Sequence, residues 1–282
     1  MNSLQESFIL HNGIKIPCVG FGTYLSAAGG ETERAVAEAL KVGYRHIDTA
    51  AFYKNESDVG SAVKKSGIAR EEIFVTTKCW NADLGYENAK AACEKSLLTL
   101  GLSYIDLYLI HWPANEKQFG ERAEEINAET WRAFEELCAE GKIRAAGVSN
   151  FLPHHLETLK KTAKFMPVVD QIEARPGFWQ EETLDYCRAH SILVEAWSPL
   201  GRGASLALPA IGTLAEKYGK SPAQIILRRM LQRGILPLPK SVTPARIAEN
   251  ADLFDFTLSD ADCAAIDAIR APAGKNPDEI DF

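Results

Sequence analysis

Four residues of the 282-residue chain carry side chains suited to moving a proton, and each falls at or just past the end of a short apolar run. Asp48 closes the run at 46–48, Lys78 the run at 74–78 and His111 the run at 105–111, while Tyr53 follows shortly after Asp48. A phenol can protonate an oxygen on which negative charge develops, but with an unperturbed pKa of about 10 it is a weak acid unaided. A nearby ammonium favours phenolate and lowers that pKa, and a carboxylate keeps the ammonium charged and oriented. Other polar or flat side chains end the later runs: Ser149 and Asn150 after 144–149, Gln171 at 168–171, Trp197 at 193–197 and Lys240 just past 236–239. Singly, each could be a chain returning to solvent. Together they converge on one mouth if the runs are strands of a single sheet.

Eight such runs, at 19–22, 46–48, 74–78, 105–111, 144–149, 168–171, 193–197 and 236–239, alternate with amphipathic stretches at 32–42, 56–66, 87–100, 128–140, 154–164 and 181–190. This alternation predicts an α/β fold with a parallel sheet, closed as a (β/α)8 TIM barrel. Barrel chemistry sits at the C-terminal ends of the strands, where the polar residues fall. His11-Asn12-Gly13 between apolar runs at 8–10 and 14–17 predicts an N-terminal β-hairpin that plugs the bottom of the barrel. Segments 223–233 and 259–269 exceed the minimal repeat and are expected as two extra helices outside it. No linker-like stretch divides the chain, so one barrel domain is expected over residues 1–282.

A 46% hydrophobic, 24% charged composition supports a large core and excludes a disordered chain. The net charge of −7, with acids and bases interspersed, argues against a nucleic-acid partner. No apolar run reaches membrane-spanning length, and MNSLQESFIL lacks the pattern of a signal peptide. Cys18, Cys79, Cys93, Cys138, Cys187 and Cys263 form no CxxC pair, which suits reduced thiols in the cytoplasm. His154, His155 and His190 show no metal-ligand spacing, and no metal is expected. Gly20-Phe21-Gly22 and Gly201-Arg202-Gly203 lack the third glycine of a dinucleotide loop. Gly219-Lys220-Ser221 lacks a P-loop's upstream glycine, because Leu214 stands there.

The segment GYRHIDTAAFYKNESDVG (43–60) closely resembles the signature of the aldo-keto reductases. TTKCW (76–80), LIHWP (109–113), GVSNF (147–151), QIEARP (171–176), AWSPLG (196–201) and LPKSVTPARIAEN (238–250) follow in that family's order and spacing. The resemblance spans essentially the whole chain and is greatest to the short bacterial branch that includes the diketogluconate reductases. It implies NADPH-dependent reduction of aldehydes and ketones by a monomer, with a small-molecule carbonyl as the only partner. Its catalytic four map onto Asp48, Tyr53, Lys78 and His111. Tyr53 would donate the proton, Lys78 would lower its pKa, Asp48 would orient Lys78 and His111 would orient the carbonyl.

The resemblance further implies NADPH/NADP+ stretched across the mouth. Ser149, Asn150 and Gln171 would bind the nicotinamide carboxamide, and Trp197 would stack on the ring where many relatives carry Tyr. Gly22, Thr23, Tyr24 and Asp48 would line the approach, with Ser198, Leu200 and Gly201 along the pyrophosphate. Lys240, Ser241, Val242 and Arg246 would hold the 2′-phosphate, and Glu249 and Asn250 would reach the adenine. Tyr24, Phe52, Trp80, His111 and Trp112 would wall an apolar substrate pocket, with segment 114–127 as a lid. Two positions depart from the family pattern: Thr243, where some relatives place Arg or Asn, and Arg175, where His commonly precedes Pro. A barrel that retains NADPH without turnover remains a second reading. A hydrolase ranks last, because the chain shows no metal cluster or spaced carboxylate pair.

Overall fold

In the computed structural model, which describes residues 1–282, the chain begins with an antiparallel hairpin, β1 (Ser7–Ile9) and β2 (Lys15–Pro17). Eight parallel strands follow in chain order: β3 (Phe21–Gly22), β4 (His46–Asp48), β5 (Phe74–Cys79), β6 (Ile105–Ile110), β7 (Ile143–Ser149), β8 (Val169–Glu173), β9 (Leu193–Trp197) and β10 (Leu236–Pro237). The sheet closes on itself. Gly20 N–H donates to the Pro237 carbonyl (3.1 Å) and Gly22 N–H to that of Pro239 (3.0 Å), joining the first parallel strand to the last. Strands such as FVTTKC and IDLYLI are buried along their whole length, as expected where both faces of a parallel sheet are covered.

The helices α1 (Glu31–Val42), α2 (Glu56–Lys65), α3 (Tyr86–Leu100), α4 (Glu116–Phe119), α5 (Ala123–Ala139), α6 (Pro153–Lys160), α7 (Glu181–Ala189), α8 (Pro209–Tyr218), α9 (Pro222–Gln232), α10 (Pro244–Ala251) and α11 (Asp260–Asp267) surround that sheet. Their caps follow local chemistry. Ser221 and Gln224 form a reciprocal capping box at the start of α9, with Pro222 at the first helical position. Gly60 lets α2 pass directly over the end of α3. A Cβ there would lie 1.9 Å from the Leu100 carbonyl oxygen, so no larger residue fits.

One correction concerns the extra helices. The stretch expected at 223–233 is α9, which leads directly into β10 and therefore completes a β/α repeat. The extra helix in that connection is α8, which the apolar pattern did not reveal; α11 is the second, as expected from 259–269. The strands at 19–22 and 236–239 are also shorter than expected, because the bonds that close the barrel replace regular pairing at their ends.

The barrel interior is stratified. At its lower end Leu10 and Ile16 of the hairpin pack with Phe74, Leu107, Leu109, Val169 and Leu236, so the hairpin does plug the bottom. Toward the upper end the buried side chains become polar: His46, Asp48, Thr76, Lys78, Gln171 and Glu195. No helix is long and apolar enough to cross a membrane.

Candidate active site

The polar layer opens into a cavity of about 720 Å³ at the C-terminal ends of the strands. Lys78, fully buried near the end of β5, meets the cavity through Asp48 and Tyr53, which line it. Its Nζ donates to Asp48 Oδ1 (2.7 Å), Asp48 Oδ2 (2.8 Å) and the Thr49 carbonyl (2.8 Å), and lies 3.4 Å from Tyr53 Oη. Burial is the largest single effect and opposes its charge, but Asp48 and Tyr53 together outweigh it and hold the Lys78 pKa above the ordinary lysine value. A bidentate, hydrogen-bonded pair is the arrangement in which a buried ammonium stays charged.

Tyr53 lies in a short 3-10 turn after β4. Its acidity corrects the sequence expectation. Lys78 does pull the phenol pKa down, but burial pushes harder, and the net value is pushed up to about 12. The phenol is therefore protonated at neutral pH. His111 sits 5.6 Å away, ring to ring, and burial followed by the Lys78 charge holds it well below the ordinary histidine value. A neutral imidazole keeps one N–H to donate and repels no cation.

Above Asp48 the residues ending β7, β8 and β9 form one network. Ser149 Oγ donates to the Gln171 carbonyl (2.6 Å), Asn150 Nδ2 to Ser149 Oγ (3.0 Å) and to the His111 carbonyl (2.9 Å), and Trp197 Nε1 to Asn150 Oδ1 (2.8 Å). Asn150 and Ser198 adopt left-handed backbone conformations (φ 62° and 48°) just past β7 and β9. Such unusual backbone is characteristic of functional sites.

Aromatic rings wall one side of the cavity. Phe52 stacks on Trp80 at 3.9 Å between centroids, Trp112 lies 6.2 Å from Trp197, and Tyr24 lies 5.0 Å from Tyr53. At the other end Lys240 and Arg246 line the cavity beside Ser241, and no carboxylate lies within ion-pair distance of either cation. Lys240 Nζ donates only to the Leu25 carbonyl (3.2 Å). Two unpaired cations on an acidic chain make an anion site. Gly22, Ser198, Leu200, Val242, Glu249 and Asn250 also line the cavity.

Two expected lining residues lie elsewhere. Thr23 is fully buried, and its Oγ1 donates to the Asp48 carbonyl (2.9 Å), because it alternates away from the mouth after Gly22. Gly201 does not line the cavity; it makes a tight turn in which a Cβ would meet Ser205 Oγ at 2.6 Å.

The segment from Ala271 onward, whose position the sequence leaves open, also reaches the site. Phe282 reaches the cavity and packs on Trp80 (4.6 Å) and Trp112 (5.7 Å). Asn115 Nδ2 holds this tail through the carbonyls of Pro277 (2.9 Å) and Ile280 (2.8 Å), and Lys117 through that of Glu279 (3.0 Å). Arg175, unexplained by sequence, pairs with Glu173 (2.9 Å) and donates to the Pro272 carbonyl (2.9 Å). Its departure from the family pattern thus serves the tail.

The tail also brings Asp278 against the adjacent histidines His154 and His155. Donor atoms of His154, His155 and Asp278 lie within 4.8 Å of one another. His155 Nδ1 accepts from the Leu152 N–H (3.0 Å), so the neutral ring carries its proton on Nε2, 3.0 Å from Asp278. That tautomer makes a hydrogen-bonded clasp and leaves no Nε2 lone pair for a metal.

Residues 19–271 match the Aldo/keto reductase family. The chain belongs to it. It is 50% identical over 282 residues to a glyoxal reductase of Bacillus subtilis, with 99% of each chain covered. Among solved structures, an aldo/keto reductase from Brucella melitensis is 48% identical with a TM-score of 0.88, over 95% of this chain and 98% of the other. A Bombyx mori aldo-keto reductase in complex with NADP is 38% identical with a TM-score of 0.86, over 94% and 93%. These neighbours agree with the closed barrel described above.

Proposed function

We propose that this aldo-keto reductase converts aldehydes and ketones to alcohols by passing the Tyr53 proton to the carbonyl oxygen as the carbonyl carbon receives hydride. As a family member it is an NADP-dependent oxidoreductase acting on carbonyl groups. NADPH, when bound, supplies the hydride. The cavity suits that cofactor: Lys240 and Arg246 offer unpaired cations for the 2′-phosphate, with Ser241 and Val242 beside them and Glu249 and Asn250 toward the adenine. Trp197 offers a flat face for the nicotinamide, and Ser149, Asn150 and Gln171 offer polar groups to its carboxamide.

The observation that carries the reading is the contact of Lys78 Nζ with Tyr53 Oη at 3.4 Å, over a carboxylate that keeps Lys78 charged. Negative charge developing on a carbonyl oxygen beside Tyr53 meets a phenol donor, a buried ammonium and a neutral imidazole. Asp48 positions Lys78, and His111 aims the carbonyl. Tyr24, Phe52, Trp80 and Trp112 exclude water and accept apolar substituents. Reduced cysteines throughout the chain fit a cytoplasmic enzyme, and the reading takes it as a monomer of one barrel domain.

The test is loss of NADPH absorbance with a panel of reactive aldehydes and ketones. Turnover of small aldehydes supports the reading. Tight NADPH binding with no turnover across the panel contradicts it.

A further inference from the structure

Gln171 Nε2 donates to two carboxyl oxygens on different strands, Asp48 Oδ2 of β4 at 2.9 Å and Glu195 Oε2 of β9 at 2.8 Å. The oxygen and nitrogen of a side-chain amide are nearly the same size, so partners alone decide which way round it sits. Here both N–H groups are taken from below. Reversing the amide would lose both bonds and set its oxygen against two carboxyl oxygens. Gln171 Oε1 is consequently left without a donor in the protein, on a residue that lines the cavity.

We propose that Glu195 is a positioning residue: it fixes the Gln171 amide with its oxygen toward the mouth, making Gln171 an obligate acceptor for the NH2 of the cofactor's carboxamide. The inference rests on the cofactor placement proposed above. Asp48 alone cannot do this, since it offers one oxygen to Gln171 while both its oxygens hold Lys78. With one anchor the amide pivots about Asp48, and its second N–H either stays unpaired or turns into the cavity, where it opposes the carboxamide NH2.

Glu195 is fully buried and otherwise unused by the reaction. Its Oε1 has no hydrogen-bond partner, and the nearest base, His46 Nε2, is 3.9 Å away and bonded to Thr76 Oγ1 at 2.9 Å. Burial, then the charge of Asp48, pushes the Glu195 carboxyl up to about 8. A proton on Oε1 at neutral pH leaves Oε2 free to accept, and Lys78 and Asp48 already balance each other. The layer then holds Gln171 without excess negative charge.

The test measures dissociation constants for NADP+ and for adenosine 2′,5′-bisphosphate, which keeps the phosphate end and lacks the nicotinamide. Glu195→Leu is expected to weaken NADP+ by about fivefold to tenfold, the worth of one or two hydrogen bonds, and to leave the bisphosphate unchanged. Glu195→Gln, whose amide oxygen still accepts, is expected to restore NADP+ binding. Glu195→Val, smaller and likewise without an acceptor, is held to the same split as Leu should the Leu variant not fold. Unchanged NADP+ affinity overturns the inference, as does equal weakening of both ligands or a Gln variant that behaves like Leu. Wild-type protein that binds NADP+ no better than the bisphosphate overturns the cofactor placement itself, and the inference with it.

Discussion

Lys78 Nζ approaches Tyr53 Oη to 3.4 Å, yet the phenol is held at about 12, above rather than below its ordinary value. Burial accounts for the sign: it opposes phenolate more strongly than the ammonium favours it. The pair is thus set for donation. A phenol of this acidity keeps its proton until a strongly basic oxygen forms beside it.

The pH dependence follows directly. The donor form is the protonated phenol, which is present below its pKa and lost as pH rises through about 12. Carbonyl reduction by wild-type enzyme should show no Tyr53-dependent loss up to about pH 10, while the reverse reaction, which needs phenolate, should gain about tenfold per pH unit. Rates of both directions under saturating cofactor check this. An alkaline loss of reduction that disappears in Tyr53→Phe would place the phenol's pKa much lower.

Replacing Lys78 by Met removes the ammonium and leaves the Asp48 carboxylate without its cation. Turnover should fall by about a hundredfold or more, and the Tm should fall as well, since an unpaired buried carboxylate is costly. Steady-state kinetics and thermal melts of the variant measure both.

The cations at the far end of the cavity should discriminate cofactors. Lys240→Ala or Arg246→Ala should each weaken NADPH by about tenfold to a hundredfold, the range for hydrogen bonds to charged groups. NADH, lacking the 2′-phosphate, should bind nearly as before. Fluorescence titration with the two cofactors separates these outcomes.

The tail offers a substrate-side prediction. Phe282 packs on Trp80 and Trp112, and Asn115 holds the tail in place. Phe282→Ala and Asn115→Ala should each raise KM for aromatic aldehydes several-fold, about 1 kcal/mol of lost contact, while NADPH affinity stays unchanged. Equal effects on aromatic and small aliphatic aldehydes would contradict a role for Phe282 in the wall.

Glu195 also predicts a stability slope. Its carboxyl sits at about 8 in the folded chain against 4.5 ordinarily, so the folded state binds more protons than the unfolded between those values. Stability therefore falls as pH rises through that window, by the order of a few kcal/mol from this group. Glu195→Gln carries no such proton. Urea midpoints at both ends of the window should fall less in the variant than in wild type.

Much of this site was legible in the sequence because barrels place chemistry at strand ends, and Asp48, Lys78, Gln171 and Trp197 each finish a readable apolar run. Motif membership does not give local orientation, so the positions of Thr23 and Gly201 outside the cavity lining could not be read from the sequence. Thr23 alternates inward, and Gly201 serves a turn. The tail was illegible for a different reason: a polar segment ending in one Phe acquires its position from residues on distant elements, among them Asn115, Lys117 and Arg175. The clasp of His154 and His155 with Asp278 likewise depends on the tail's return. As for 223–233, an amphipathic pattern gives a helix but not its place in the repeat, and α8 showed only a weaker such pattern to set beside it.

The most direct measurement of the central claim is turnover of a small aldehyde by Tyr53→Phe beside the dissociation constant of NADPH for the same protein. Phenylalanine keeps the ring against Tyr24 and His111 and removes only the hydroxyl that faces Lys78. Turnover is predicted to fall by about a hundredfold to ten-thousandfold, with NADPH affinity within about twofold of wild type. A variant that keeps wild-type turnover would contradict Tyr53 as the proton donor.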